Sequence, residues 1–306
     1  VNEVALPDYP TQQFFHNLLA MPATPVLDIS RYGFSLRTTI LAGTRGASAR
    51  LEKFLSLIDD YAITRDYPAW DITSHLGVDL RFGTVSIRKL VMLALSKLSN
   101  GVEVWLTELI WREFFSQILY HFPHVVTQPF RLEYEALEYG NNKEWFSRWC
   151  NGETGYPIVD AGMRQLNLTG FMHNRVRMIC ASFLTKDLLI DWRWGERYFA
   201  NQLLDYEMAS NNGNWQWCAG TGCDAQPYFR IFNPILQSQR FDSEGRYIKQ
   251  YVPELSLLDS TAIHAPFNAK ILPIKLDLDY PLPIVVHAKQ VILAKQMFVR
   301  LKNKFI

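Results

Sequence analysis

The stretch from Asp205 to Phe232 carries more potential chemistry than any other: D-Y-E-M-A-S-N-N-G-N-W-Q-W-C-A-G-T-G-C-D-A-Q-P-Y-F-R-I-F. Asp205 and Glu207 flank Tyr206, three asparagines surround Gly213, and Trp215 and Trp217 follow. Carboxylates and amides can read the polar edge of a ring system, and indoles can stack on a flat ligand. The same residues also make a helix cap beside two packed tryptophans, and their types alone leave both readings open. A second cluster, Glu108, Trp111 and Arg112, falls at spacings of three and four and so shares one helical face. Acid, indole and guanidinium together suit a base beside a phosphate. They also suit an intrahelical ion pair beside a core tryptophan. In the third cluster, Met172 to Met178, Arg175 and Arg177 stand two apart and point in different directions around a helix. One could pair inside while the other meets solvent or phosphate.

Other chemistries lack their patterns. Cys218 and Cys223 are five apart, Cys150 and Cys180 are remote, and the histidines are dispersed, so no closed zinc pattern exists and no metal is expected. There is no Gly-rich phosphate turn after a strand and no strand–Ser–helix elbow.

The elements that must position the three clusters read as helices. The chain has 306 residues, 48% of them hydrophobic, with a formal net charge of +1, which excludes a disordered chain and gives no global nucleic-acid footprint. Four cysteines make no disulfide framework. The aromatics are abundant: 19 Phe, 14 Tyr and nine Trp. Residues 1–46 read as a linker-like segment punctuated by Pro22 and Pro25, with a short helix over Gln12 to Leu19. From Ala47 the helical period takes over. Leu51, Phe54, Leu55 and Ile58 start a helix that continues through Tyr61 and Arg65 to Pro68. A polar turn, Thr73 to Gly77, follows. Further helices are expected over 87–98, 102–121, 143–149, 160–168, 173–186, 195–209 and 284–302. The 195–209 helix should stop at Asn211-Asn212-Gly213-Asn214, whose residues tolerate turns. Eight to eleven helices and almost no strand alternation predict a mainly α domain over 47–306. Glu3, Asp8, Pro7 and Pro10 keep Val1 to Pro10 from reading as a signal peptide, and no 18-residue apolar run would span a membrane. The segment 261–306 carries six lysines and Arg300 against two aspartates, a local basic patch.

Several long blocks in order identify a family: Glu108 to Phe114, Thr154 to Asp160, His173 to Met178, Lys186 to Trp192, Asn211 to Trp217, Asp224 to Pro234 and Tyr280 to Val285. Together they resemble the FAD-binding helical domain of the photolyase–cryptochrome family, and within it the class I cyclobutane pyrimidine dimer photolyases. The resemblance implies FAD as cofactor, with FADH⁻ as the repair-active state, and damaged DNA containing pyrimidine dimers as partner. It implies that an excited reduced flavin passes an electron to a flipped-out dimer, which splits and returns it. By the same resemblance, Tyr61, Thr73, Ser74, His75, Leu76, Gly77, Arg112, Arg177, Asp205, Tyr206, Glu207 and Asn211 would hold the flavin, Asn211 beside its N5. Glu108, Trp111, Arg112, Asn174, Met178 and Trp217 would receive the dimer. Arg65, Arg175, Arg230 and Gln237 would face the DNA. Trp215 and Trp192 would begin a chain that re-reduces the flavin, with Tyr139 at its outer end or Trp149 as another exit.

The sequence also departs from the family pattern. His75 stands where an arginine is usual, Gly77-Val78 where Ser-Pro is usual, Glu207 where aspartate is usual and Phe171 where tryptophan is usual. The family's N-terminal α/β antenna domain is not expected in the 46 leading residues, so it is read as missing or carried by a separate chain. No antenna pigment is expected within this chain. The resulting expectation is a monomeric, cytoplasmic deoxyribodipyrimidine photo-lyase. The alternatives are a cryptochrome-like flavin photoreceptor and a nucleic-acid-binding protein that has lost FAD.

Overall fold

The computed structural model describes residues 31, 40–267 and 279–304. The expected helix at 12–19 and most of the 1–46 segment lie outside these residues. Thirteen α-helices and no strand occur among the described residues, two helices more than the upper expectation. They are α1 Gly43–Leu55, α2 Tyr61–Thr64, α3 Gly77–Phe82, α4 Ile87–Leu95, α5 Asn100–His121, α6 Lys143–Asn151, α7 Pro157–Thr169, α8 Asn174–Ser182, α9 Trp192–Gln202, α10 Met208–Ala219, α11 Pro234–Phe241, α12 Arg246–Tyr251 and α13 His287–Lys304. No described helix is long and apolar enough to cross a membrane.

Two expectations about boundaries fail for physical reasons. The helix read as running from Ala47 to Pro68 starts at Gly43 and breaks after Leu55. The start of α5 lies against that break: a Cβ on Gly101 would sit 2.0 Å from the Ile58 carbonyl oxygen. More important for function, Asn211 to Asn214 do not stop a helix; they lie inside α10. The break falls earlier, at Leu203 to Glu207, so the acids precede a helix instead of ending one. Glu207 caps α10, its carboxylate accepting from the backbone N–H of Ala209 and of Ser210 and from the Ser210 hydroxyl. The turn-forming residue types inside α10 serve tertiary contacts. Asn212 Nδ2 donates to the Val125 carbonyl at 2.8 Å, and a Cβ on Gly213 would lie 2.1 Å from the Phe115 ring.

Helices α6 to α10 and α12 wrap the largest apolar cluster, which contains Trp149, Trp192 and Trp215. A second cluster joins α1, α2, α4 and α5 around Phe54, Leu76 and Trp105. A third packs Met297, Phe298 and Leu301 of α13 on Leu137 and Tyr139. Between α8 and α9 a π-helical turn, Phe183–Asp187, presents two buried charged residues. Asp187 meets His287 Nδ1 at 2.5 Å and so ties down the start of α13.

Lys186, on the same turn, is 2% exposed; it donates to the Ala219 carbonyl at 2.6 Å and lies 4.1 Å from the Phe298 ring centre. Burial brings its pKa down to about 7 from the ordinary lysine value. Between pH 7 and that ordinary value the unfolded chain therefore holds a proton that the folded chain lacks, and stability rises with pH through the window. We expect Lys186→Met to remove about 1–2 kcal/mol of that rise between pH 7 and 9. Urea titrations of both proteins at the two pH values check it, and an equal pH response in both would refute it.

Candidate flavin and lesion site

Two cavities meet at one residue. The larger, about 590 Å³, is lined by α1, by the Thr73–Gly77 turn and by Phe171 and His173. The smaller, about 190 Å³, is lined by α8, by Tyr206 and Glu207, and by Asn211 and Trp215 of α10. Asp205 borders both. Its carboxylate takes Arg177 Nη2 at 2.9 and 3.2 Å, while Arg177 Nε donates to the Met172 carbonyl. The approach of α3 to Asp205 is close: a Cβ on Gly77 would lie 2.8 Å from Asp205 Oδ2.

The larger cavity carries the phosphate-type equipment. Thr73, Ser74 and Gly77 line it together with Lys53. His75 adopts the left-handed region with φ 50°, donates from Nε2 to Asp71 Oδ1 at 2.5 Å, and packs against Phe171 at 4.8 Å between ring centres. The His75 and Phe171 departures thus lie in contact with each other. Lys53 and His75 both hold Asp71 well below the ordinary carboxylate range, the hydrogen bond from His75 being the larger cause.

The smaller cavity carries the edge-reading and stacking equipment. Asn211 Nδ2 donates to Glu196 Oε1 at 2.9 Å and to the Glu196 carbonyl at 3.2 Å. That leaves Asn211 Oδ1 as the amide's free acceptor. Burial raises the Glu196 carboxyl above its ordinary value. Trp215 is 3% exposed, with Phe199 at 5.0 Å and Trp149 at 6.2 Å between ring centres. Gly195 makes room for it, since a Cβ there would lie 2.1 Å from the indole.

Alternating charges join the end of α2 to α5 and α8. Arg65 pairs with Glu108 of α5 at 2.7 Å, and the next residue, Asp66, pairs with Arg175 of α8 at 2.7 Å. Glu108 therefore pairs across helices, and both arginines of the 172–178 cluster are engaged, neither being left to solvent alone. Trp111 is 39% exposed, not a core residue, and stacks on Phe115, which in turn packs on Gly213. Asn174 and Met178 line the smaller cavity, and Trp217 is half-buried on α10.

Some expected residues lie elsewhere. Tyr61, Leu76 and Arg112 line neither cavity. Tyr61 and Leu76 are buried in the second cluster, and Arg112 is half-buried on α5. Arg230 is exposed in the irregular segment after α10, and Gln237 has a buried Oε1 without a partner on α11. Trp192 is 1% exposed at the start of α9. The Tyr139 hydroxyl is buried without a hydrogen-bond partner among the described residues, and burial raises its pKa above the ordinary phenol range. Trp149 is fully buried and donates Nε1–H to the Cys180 carbonyl. Sequence reasoning missed Glu196 and Gly195, neither of which has a local signature.

The cavities fit an FAD on their own residues. A polar, hydroxyl-lined half and an aromatic-walled half with an anchored amide meet at a charged bend, which suits a dinucleotide with a phosphate middle and a flat ring. Comparison with known proteins agrees. Residues 105–300 match the family model described as the FAD binding domain of DNA photolyase. The chain is 50% identical over 239 residues to a deoxyribodipyrimidine photo-lyase of Vibrio cholerae, covering 76% of this chain and 50% of that protein. It superposes on a bacterial class III photolyase from Agrobacterium tumefaciens with a TM-score of 0.82 at 43% identity, over 87% of this chain and 57% of that one. A Synechocystis cryptochrome gives a TM-score of 0.78 at 35% identity, over 86% of this chain and 58% of that one. The chain thus spans about half the length of these relatives, and the likeness does not sort it into class I.

Proposed function

This chain belongs to the photolyase/cryptochrome family through its FAD-binding helical domain, and from that membership we propose that it repairs cyclobutane pyrimidine dimers in DNA, using light absorbed by bound FAD. Reduced FAD, when bound, supplies the excited electron and takes it back; the chain supplies placement. The observation that carries the reading is the pair of cavities that share Asp205, the smaller holding Asn211 anchored on Glu196 beside Trp215, Asn174 and Met178.

In this reading Thr73, Ser74 and Gly77 receive the pyrophosphate region, Asp205 and Arg177 hold the bend, and Asn211 meets the ring edge. Glu108 offers acceptors to the lesion bases, and Trp111 and Trp217 pack on the extruded dimer. Arg65 and Arg175 exchange part of their carboxylate pairing for DNA phosphates, so binding weakens with salt.

Glu196 sets which end of the Asn211 amide faces the ring. An amide oxygen there accepts from the N–H that only the reduced ring carries. We expect Glu196→Ala to lower the reduction potential of the bound flavin by on the order of 30 mV, the size of one hydrogen bond. Spectroelectrochemical titration checks this, and an unchanged potential would sink the role given to Glu196.

The decisive experiment mixes chemically reduced protein with a dimer-containing oligonucleotide and compares thymine recovery in blue light and in darkness. Light-dependent recovery is expected. A flavin-loaded protein that yields none would turn the assignment toward a flavin photoreceptor.

A further inference from the structure

His173 lies at the N-terminus of α8, is 4% exposed and lines the larger cavity. Its backbone N–H donates to Gln165 Oε1, an oxygen that also takes the Tyr247 hydroxyl at 2.6 Å, so the residue is held from below. Its ring Nδ1 accepts from the Arg175 backbone N–H at 3.2 Å. In a neutral imidazole that bond places the remaining proton on Nε2. Nε2 is buried and has no partner. The charged and titratable groups acting on the ring are Arg177, Asp66, Arg175 and His75; burial, and then Arg177, bring its pKa down to about 4. The ring therefore stays neutral and keeps its tautomer. A buried donor with no acceptor is uncommon in a native protein, and here it borders a cavity that the Thr73–Gly77 turn also lines.

We propose that His173 is a cofactor-binding residue whose Nε2–H donates to an oxygen in the ribose–pyrophosphate portion of FAD. The proposal rests on the flavin reading above and adds a residue to it. The half of the cofactor follows from placement: His173 borders the larger cavity and is absent from the lining of the smaller one. Its preset tautomer gives a directional contact without a charge, complementing the cationic Lys53 that lines the same cavity.

The test titrates the flavin-free 306-residue chain with FAD and, separately, with riboflavin, following the flavin fluorescence. Two variants separate contact from structure. His173→Asn keeps a short acceptor for capping α8 and removes the donor at the far edge of the ring. His173→Gln carries an amide N–H toward the Nε2 position. For His173→Asn we expect FAD affinity to fall about tenfold, the size of one buried hydrogen bond, with riboflavin binding unchanged. His173→Gln should recover much of the FAD affinity. Equal weakening of both ligands, or no change in FAD affinity, would overturn the proposal. Absence of any flavin binding by the unsubstituted chain would overturn the flavin reading itself and the proposal with it.

Discussion

Asp205→Ala is expected to lower FAD affinity at least about 100-fold while leaving the helical fold in place. Asp205 is the residue at which the two cavities join, and its carboxylate is the group that fixes Arg177 there. Without it a half-buried guanidinium loses its charged partner at the bend, retaining the Met172 carbonyl and the Phe171 ring face. The arginine can then swing into space that the cofactor needs, and the α3 start loses the surface on which Gly77 closes. The side chains are 15% and 24% exposed, so water screens part of the pair and the effect on folding is smaller than for a dry ion pair. The measurement is the flavin-to-protein absorbance ratio after purification, followed by fluorescence titration, with circular dichroism as the control for fold. An Asp205→Ala protein that purifies with a full complement of FAD would remove Asp205 from the site. Asp205→Asn, which keeps the shape and loses the charge, should fall between.

Asp160→Ala should be the most damaging single change to the fold, costing about 3–5 kcal/mol. The side chain is completely buried and accepts four hydrogen bonds. Thr154 donates through its backbone N–H at 2.7 Å and its hydroxyl at 2.6 Å, Gly155 through its N–H at 3.0 Å, and the Tyr280 hydroxyl at 2.5 Å. Those donors come from the turn before α7 and from the segment leading to α13, so one carboxylate joins chain regions 120 positions apart. Alanine leaves all four donors without this acceptor in a dry interior, where an unmade bond costs far more than a made one yields. A loss of this size is a large share of the usual stability of a domain. Urea denaturation measures it. A cost below about 1 kcal/mol would mean that water or a neighbouring carbonyl replaces the carboxylate. Asp160→Asn keeps one acceptor oxygen and should lose less.

Much of the helical architecture was legible because it rests on local rules. The His121 end of α5 and the Lys143 start of α6 follow from apolar spacing and from residues with strong backbone preferences, whereas α7 starts at Pro157, three residues before the expected Asp160. The 207–219 region was misread because its residues are chosen for contacts, not for helix formation. Gly213 is small because Phe115 is there, and Asn211 and Asn212 are amides because Glu196 and the Val125 carbonyl are there. Propensity read those residues as a stop, and tertiary packing overrides propensity.

By itself, then, the sequence determined the mainly helical class, the family blocks and the residue types able to meet a flavin and a base. Those are written in periodicity and in contiguous runs. Only the tertiary structure decided which side chains share a cavity and which cations are already paired. Glu196 stands 15 positions from Asn211, and Arg177 stands 28 from Asp205. No local pattern marks such pairs, because hydrogen bonds and charge pairs depend on distance in space, and the packing of α8, α9 and α10 sets that distance.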